Sequence, residues 1–257
     1  MKLLDAQSPA KPNIAVVVST WVGNPPEYLQ RLMSSINKYD AGVTYDLYLC
    51  ANGEEYQISE KMRSCFKDIY IRENKGYNLG AWDYAWRRLP QYTHYLFLQD
   101  DCIIKKNKWL LRFSKVFSSN INVGLVGEYF SRGWDYSWEE LSLGAAANKK
   151  INEKKRKNAA YYKEILTLWE VDPGNRASHV TSVIHYTSRK ILEEVNGYNL
   201  GQTYQEAVAA EIAFSRKIYA RGYQCVQVER GRHSVIAHPQ WPAESLRKKL
   251  FNMLRKK

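Results

Sequence analysis

Within residues 13–20, NIAVVVST, positions 14–18 form an unbroken apolar run, with three valines in a row and no polar–apolar alternation. A strand with one face in water alternates, because successive side chains point to opposite faces. An unbroken apolar run therefore needs cover on both faces, the habit of a parallel strand between two layers of helices. Shorter apolar runs follow at 46–51 (DLYLCA), 69–72 and 95–98. Helical patterns separate them. After Pro25 and Pro26, residues Leu29, Leu32, Met33 and Ile36 fall on one helical face, and proline suits a first helical turn. Residues 80–89, GAWDYAWRRL, are helical in period and stop at Pro90. Strands alternating with helices predict an α/β fold with a Rossmann-like, mostly parallel central sheet and right-handed crossovers.

The second half is less regular. Strands are expected at 123–127, 181–186 and 225–228, and helices at 188–195 and 206–220. Residues 132–140, RGWDYSWEE, read as an extended aromatic loop with Trp134, Tyr136 and Trp138 on one side. Such rings suit the C–H faces of a sugar; they equally suit packing on a core. Residues 148–162 read as a basic loop leading into a helix. With no internal repeat and no long linker, residues 1–242 are expected to form one domain, its halves dividing near 109 and 110, followed by a tail at 243–257.

Ligands of open α/β sheets bind beyond the carboxyl ends of the strands. Here those ends carry Thr20-Trp21, Asn52-Gly53-Glu54, Asn74-Lys75-Gly76 and Gln99-Asp100-Asp101. Two adjacent carboxylates at a strand end repel unless a cation or a basic group compensates. Oxygen ligands of this kind suit Mg²⁺ or Mn²⁺ shared with a substrate phosphate. The alternative is a strand end in water with one acid capping the next turn.

The order VVVST, LYLCANG, ENKGYNLGAWDYA and YLFLQDDC resembles glycosyltransferases of the GT-A fold, especially glycosyltransferase family 2. The resemblance covers residues 13–109 closely and the rest loosely. It implies transfer of a sugar from a nucleoside-diphosphate sugar, with inversion, aided by a divalent metal, Mn²⁺ or Mg²⁺. Carried over residue by residue, it places Thr20 near the nucleotide and Asn52 and Glu54 beside the base. Asn74 and Gly76 would shape the nucleotide pocket, with Asp100 beside it. Gly80 and Ala81 would open a helix where bulk collides. Asp101 matches the metal-binding acid of the family's Asp-x-Asp-like triplet, and Gln99 stands where the first acid would be. An amide there still hydrogen-bonds a sugar or ribose hydroxyl. His238, in IAHPQW, matches a histidine that completes the metal sphere; otherwise it is a structural residue. Arg230, Arg232 and His233 would close over the diphosphate or form a solvated turn. The family's base is an acid at the start of a helix ending in Gly-aromatic, here Gly222-Tyr223, which offers Glu206 and Glu211. Asp135 and Glu139 would bind acceptor hydroxyls beside Trp134, Tyr136 and Trp138.

The formal charge of +12 decides what kind of partner to expect. Residues 149–157 and 243–257 each hold six basic residues and one acid, so ten of the twelve net charges lie in two short blocks. A nucleic-acid binder spreads basic residues over a folded face, so no nucleic acid is expected. In 243–257, Leu246, Leu250, Phe251 and Leu254 share a helical face opposite basic residues. That is the pattern of an amphipathic helix on an anionic bilayer; the alternative is docking on the protein itself. No run is long enough for a membrane span, and the first residues, MKLLDAQSPAKPN, lack a signal-peptide core. The expected setting is cytoplasmic, peripheral on the inner face of a membrane, with a lipid-linked or polysaccharide acceptor in lipopolysaccharide, O-antigen or capsule synthesis. A nucleotidyltransferase would show a glycine-rich phosphate loop, which STWVGNPP does not supply. A non-catalytic nucleotide-sugar-binding module is the other alternative. The four cysteines, Cys50, Cys65, Cys102 and Cys225, form no C-x-x-C pair, and Cys50 and Cys102 read as buried free thiols.

Overall fold

The computed structural model describes residues 13–239. Strand β1 (Ile14–Trp21) leads through helix α1 (Pro26–Lys38) to β2 (Asp46–Asn52). A short helix α2 (Glu60–Arg63) precedes β3 (Asp68–Arg72), and α3 (Tyr77–Arg88) leads to β4 (His94–Gln99). After β5 (Ile103–Ile104) come α4 (Trp109–Ser118), β6 (Val123–Gly127), α5 (Trp138–Leu143) and α6 (Glu153–Leu168). The chain ends with β7 (Ile184–Ser188), α7 (Arg189–Glu194), α8 (Tyr204–Ala220), β8 (Gln224–Gln227) and β9 (Ile236–Ala237).

Seven strands form the main sheet in the order β3-β2-β1-β4-β7-β6-β8. β1 pairs in parallel with β2 on one side and β4 on the other. Its two faces feed two different cores. Ile14, Val16 and Val18 pack with α1 and α4 residues such as Leu32 and Trp109. Ala15 and Val17 pack with Trp82, Ala85 and Phe97 on the opposite side. This explains why the segment shows no alternation.

The chain steps outward from β1 to β2 and β3, then returns to place β4 on the other flank of β1. The carboxyl ends of β1 and β4 therefore bracket a topological switch point, where a crevice opens in sheets of this kind.

Several expectations are corrected, although the main sheet is mostly parallel as expected; within it β7 runs antiparallel to both β4 and β6. Its residues Ile184, His185, Tyr186 and Thr187 are all buried, and hydropathy does not encode strand direction. α4 was not expected. α3 begins at Tyr77 rather than at Gly80, after Gly76 in the left-handed region at φ 75°. The aromatic segment is not extended. It makes a 3₁₀ turn at Arg132–Trp134 and then enters α5 at Trp138. Ser137 and Glu140 form a capping box, which starts a helix where an extended loop was read. Trp138 is buried and donates to Pro173 O at 2.9 Å, and Trp134 packs on Tyr162 of α6. α5, α6 and α8 share a third core containing Leu141, Leu166 and Ile212. Cys50 and Cys102 are buried free thiols, as is Cys225. The amphipathic tail at 243–257 lies outside the described residues.

Candidate active site

Asp100 forms the floor of the crevice. It follows β4, and its amide donates to Ser19 O of β1 at 3.0 Å, which fixes it across the switch point. Thr20 Oγ1 donates to Asp100 Oδ2 at 2.6 Å, and Asn24 Nδ2 lies 3.1 and 3.0 Å from the two carboxylate oxygens. Burial raises the pKa of Asp100, while the Thr20 and Asn24 bonds oppose that rise. Asp100 thus braces the ends of β1 and β4. The crevice holds about 280 Å³ and is lined by Thr20, Asn24, Asn52, Asn74, Tyr77 and Asp100, among others. Asn52 Nδ2 donates to Tyr77 O at 2.9 Å, and its Oδ1 accepts from Arg72 at 2.6 Å. Glu54 is exposed beyond β2 and does not line the crevice. Gly76 supplies the turn into α3, and a Cβ there would lie 3.0 Å from Leu200.

Asp101 faces a different group. β5 pairs with β9, and this two-residue ladder carries His238 to the end of β4. Asp101 Oδ1 lies 2.8 Å from His238 Nε2, and Gln99 Oε1 lies 3.2 Å from the same nitrogen. Asp101 Oδ1 is buried and, among the described residues, makes no hydrogen bond of good geometry despite that short approach. Gln99 and Asp101 thus converge on one point with His238, which lies more than a hundred positions further along the chain. Among the described residues no group of three or more His, Cys, Asp and Glu side chains is arranged to hold a metal ion. Asp101 and His238 are the two potential metal-ligating side chains that meet here.

A second cavity of about 460 Å³ adjoins the crevice and shares Tyr77, Asn78 and Gln99 with it. Gln99 Nε2 and Asn78 Nδ2 both donate to Ser182 O, which ties the shared wall together. Glu211 of α8 lines this cavity, with its Oε1 accepting from Ser182 Oγ. Glu206 does not line it. Its carboxylate is committed to the start of α8, accepting from the amides of Gln202 and Thr203 at 2.5 and 3.2 Å. Of the three aromatic residues expected together, Trp134 lines this cavity. Tyr136 lies under Lys155 and Trp138 packs into the third core. Asp135 is exposed and pairs with Arg176, and Glu139 lines a separate groove with Trp138. Arg232 lines the second cavity over the ring of Tyr129, whereas Arg230 is exposed outside it.

Glu128 was missed in the sequence. It follows β6 and is 2% exposed. Its carboxylate accepts from the amides of Ser234, Val235 and Ile236 at 2.9, 3.0 and 2.6 Å. Burial pushes its pKa up to about 7, against the pull of those three amides. It braces the segment that carries Arg232 and His238. The signal was present: an acid directly after an apolar strand, as at Asp100. Asn24, Tyr77, Asn78, Tyr129, His179 and Ser182 were also missed, because an isolated polar residue or tyrosine in a loop carries no pattern.

No known sequence family matches the chain, and no curated protein matches its sequence. Among solved structures it is similar to the mannosyltransferase PcManGT from Pyrobaculum calidifontis, solved with GDP-Man and Mn²⁺. The two are 14% identical over 84% of this chain and 54% of that one, with a TM-score of 0.51. The chain is also similar to the bifunctional glycosyltransferase WbbM in its apo form, at 12% identity over 84% of this chain and 38% of that one, with a TM-score of 0.40. It spans about half the length of the first of these, 54%. The strand order, the crevice at the β1–β4 switch point and the likeness to the mannosyltransferase together give this chain the GT-A-type glycosyltransferase fold.

Proposed function

We propose that the protein is a glycosyltransferase that moves a sugar from a nucleoside-diphosphate sugar to a glycan or glycolipid acceptor, with inversion. The observation that carries this reading is the pair of adjoining cavities. One lies at the switch point over Thr20, Asn52 and Asp100, and the other holds Glu211 across the shared wall of Asn78 and Gln99. The first suits the donor nucleotide, with Asn52, Asn74 and Gly76 shaping its pocket. The second suits the acceptor, with Trp134, Tyr129 and Tyr204 as flat surfaces for sugar rings. Glu211 is the general base for the acceptor hydroxyl, a task that needs a carboxylate within hydrogen-bond reach. Arg232 lines the second cavity and supplies positive charge to offset what develops on the leaving group.

Asp101 and His238 fit a divalent cation such as Mn²⁺ or Mg²⁺. Adjacent ligands of a six-coordinate ion with bonds of about 2.1 Å stand about 3 Å apart. The 2.8 Å approach of Asp101 Oδ1 to His238 Nε2 matches such an edge, the cation taking the place of the proton that Nε2 presents to Asp101 and Gln99. A bound cation would neutralise the departing diphosphate as a Lewis acid. The Mn²⁺ in the solved mannosyltransferase supports the same assignment. Ions of this kind take few protein ligands and complete their shell with phosphate oxygens and water, so two protein ligands suffice.

The acceptor is proposed to be a lipid-linked surface glycan of the lipopolysaccharide, O-antigen or capsule type, met at the cytoplasmic face of a membrane. Lys149, Lys150, Lys154 and Lys157 are exposed around the start of α6. Together with the basic residues of 243–257 they suit an anionic surface. No helix among the described residues is long and apolar enough to cross a membrane.

Two measurements test the proposal. Incubation with UDP-, GDP- and dTDP-sugars should release free sugar slowly from one of them, faster with Mn²⁺. Asp101→Ala should lower that rate by about 100-fold, on the scale of lost charge stabilisation at a leaving group. No turnover and no nucleotide binding across the panel would reject the enzyme. Deleting residues 243–257 should weaken binding to anionic liposomes; unchanged binding would reject the membrane contact of the tail.

A further inference from the structure

Glu211 has a partner that the sequence did not suggest. His179 lies in the segment before β7 and is 1% exposed. Its Nδ1 is 2.9 Å from Ala177 O, and a carbonyl oxygen only accepts, so Nδ1 carries a hydrogen. Its Nε2 lies 3.3 Å from Glu211 Oε2. Were Nε2 a bare lone pair facing a carboxylate, two acceptors would be held against each other in a buried site. One proton must therefore lie between them. Glu211 Oε1 already accepts from Ser182 Oγ, so the carboxylate is bound as an acceptor on its other oxygen too.

We propose that His179 is the positioning residue of the base: with Nδ1–H given to Ala177 O, it also donates from Nε2 to Glu211 Oε2, holding the carboxylate turned into the acceptor cavity. The inference rests on Glu211 being the base. Charge balance favours the pair, since a buried cation is tolerated beside a hydrogen-bonded anion. Neighbouring titratable groups do not take its place. Tyr162 of α6 feels the charge of Glu211 and His185 of β7 feels both members of the pair, through space, while Tyr204 and Arg232 line the same cavity. Burial holds the pKa of His185 down to about 4, so its ring stays neutral.

In the transfer step the acceptor O–H bond breaks and its proton passes to Glu211. The acceptor oxygen bonds to the anomeric carbon as the bond from that carbon to the phosphate oxygen breaks, its electron pair leaving with the diphosphate. His179 keeps its own proton throughout, and Glu211 returns the new one to solvent after product leaves.

The test pairs a spectroscopic readout with kinetics on the intact chain. In ¹⁵N imidazole spectra at pH 7, both nitrogens of His179 should carry hydrogen. In Glu211→Gln, Nε2 should lose it. Hydrolysis of the sugar nucleotide found active in the panel, with Mn²⁺, should slow about tenfold in His179→Gln, which keeps an N–H donor near the Nε2 place. It should slow about 100-fold in His179→Leu, with donor KM unchanged in both. A neutral His179 that ignores Glu211→Gln overturns the dyad, as do equal losses in the two His179 variants. If His179→Leu fails to fold, the spectra and His179→Gln still decide. Full activity in Glu211→Gln overturns the base reading itself, and the dyad's role with it; loss of activity with a neutral His179 overturns the dyad alone.

Discussion

Gly80 shows how a single missing methyl group shapes the crevice. A Cβ at Gly80 would lie 1.9 Å from Lys75 O, a contact no real side chain makes. The carbonyl cannot retreat cheaply, because Arg72 Nη2 donates to it at 2.9 Å. The same guanidinium holds Asn52 Oδ1 at 2.6 Å, so a push on Lys75 is passed to the donor pocket. Gly80→Ala should therefore cost about 2–3 kcal/mol, the upper range for overpacking, and lower Tm by roughly 5–10 °C. It should also weaken nucleotide binding. Gly133 is the control, since a Cβ there meets nothing within 4 Å. Gly133→Ala should stay within about 0.5 kcal/mol of the parent. Thermal melts of the two variants compare them directly, and equal shifts would reject the steric argument.

Helix α8 separates two acids that the sequence presents as equals. Five residues apart on a helix, Glu206 and Glu211 point about 140° from one another, so one hydroxyl cannot meet both. Thr203 decides between them. Its side chain accepts from the Glu206 amide at 3.2 Å, and the Glu206 carboxylate reaches back to the Thr203 amide, closing a capping box. Thr203→Ala should then cost about 1 kcal/mol of stability and leave turnover near the parent's. Glu211→Gln should keep the Tm within a few degrees and remove turnover. Melting curves and rates for both variants test this division, which fails if Thr203→Ala loses activity while remaining folded. The box was readable from Thr-x-x-Glu, as α5 was from Ser137-x-x-Glu140. The apolar strands β1, β2 and β4 were legible because burial on both faces leaves an unbroken pattern. The direction of β7 was not, since the pattern of an antiparallel strand buried on both faces is the same. Asp101 stood out by its place after β4. The partner at His238 was carried over by resemblance. Its approach depends on β5 and β9, each of two residues, too short to leave a period.

At the scale of the whole molecule, two buried groups couple stability to pH with opposite signs. Glu128 holds the segment of Ser234, Val235 and Ile236, and burial raises its pKa from 4.5 to about 7. Between those values the folded protein binds the extra proton, so this group adds stability as the pH falls. His185 is stacked on Phe214 and tilted against Trp82, and burial lowers its pKa from 6.5 to about 4. Over that interval the unfolded chain binds the extra proton, so this group removes stability as the pH falls. From pH 6.5 to 4.5 the two slopes cancel, each about 1.4 kcal/mol per pH unit. Glu128→Gln removes one of them and keeps an acceptor for the amides. Its Tm should then fall more steeply than the parent's on acidification, by about 3 kcal/mol between pH 6.5 and 4.5, or roughly 6–12 °C. His185→Phe should tilt the curve the other way, with Tm holding or rising over the same interval. Melting temperatures of the three proteins at half-unit steps test the balance. Because parent and variant differ at this one side chain, parallel curves for parent and Glu128→Gln would mean that Glu128 does not bind its proton on folding.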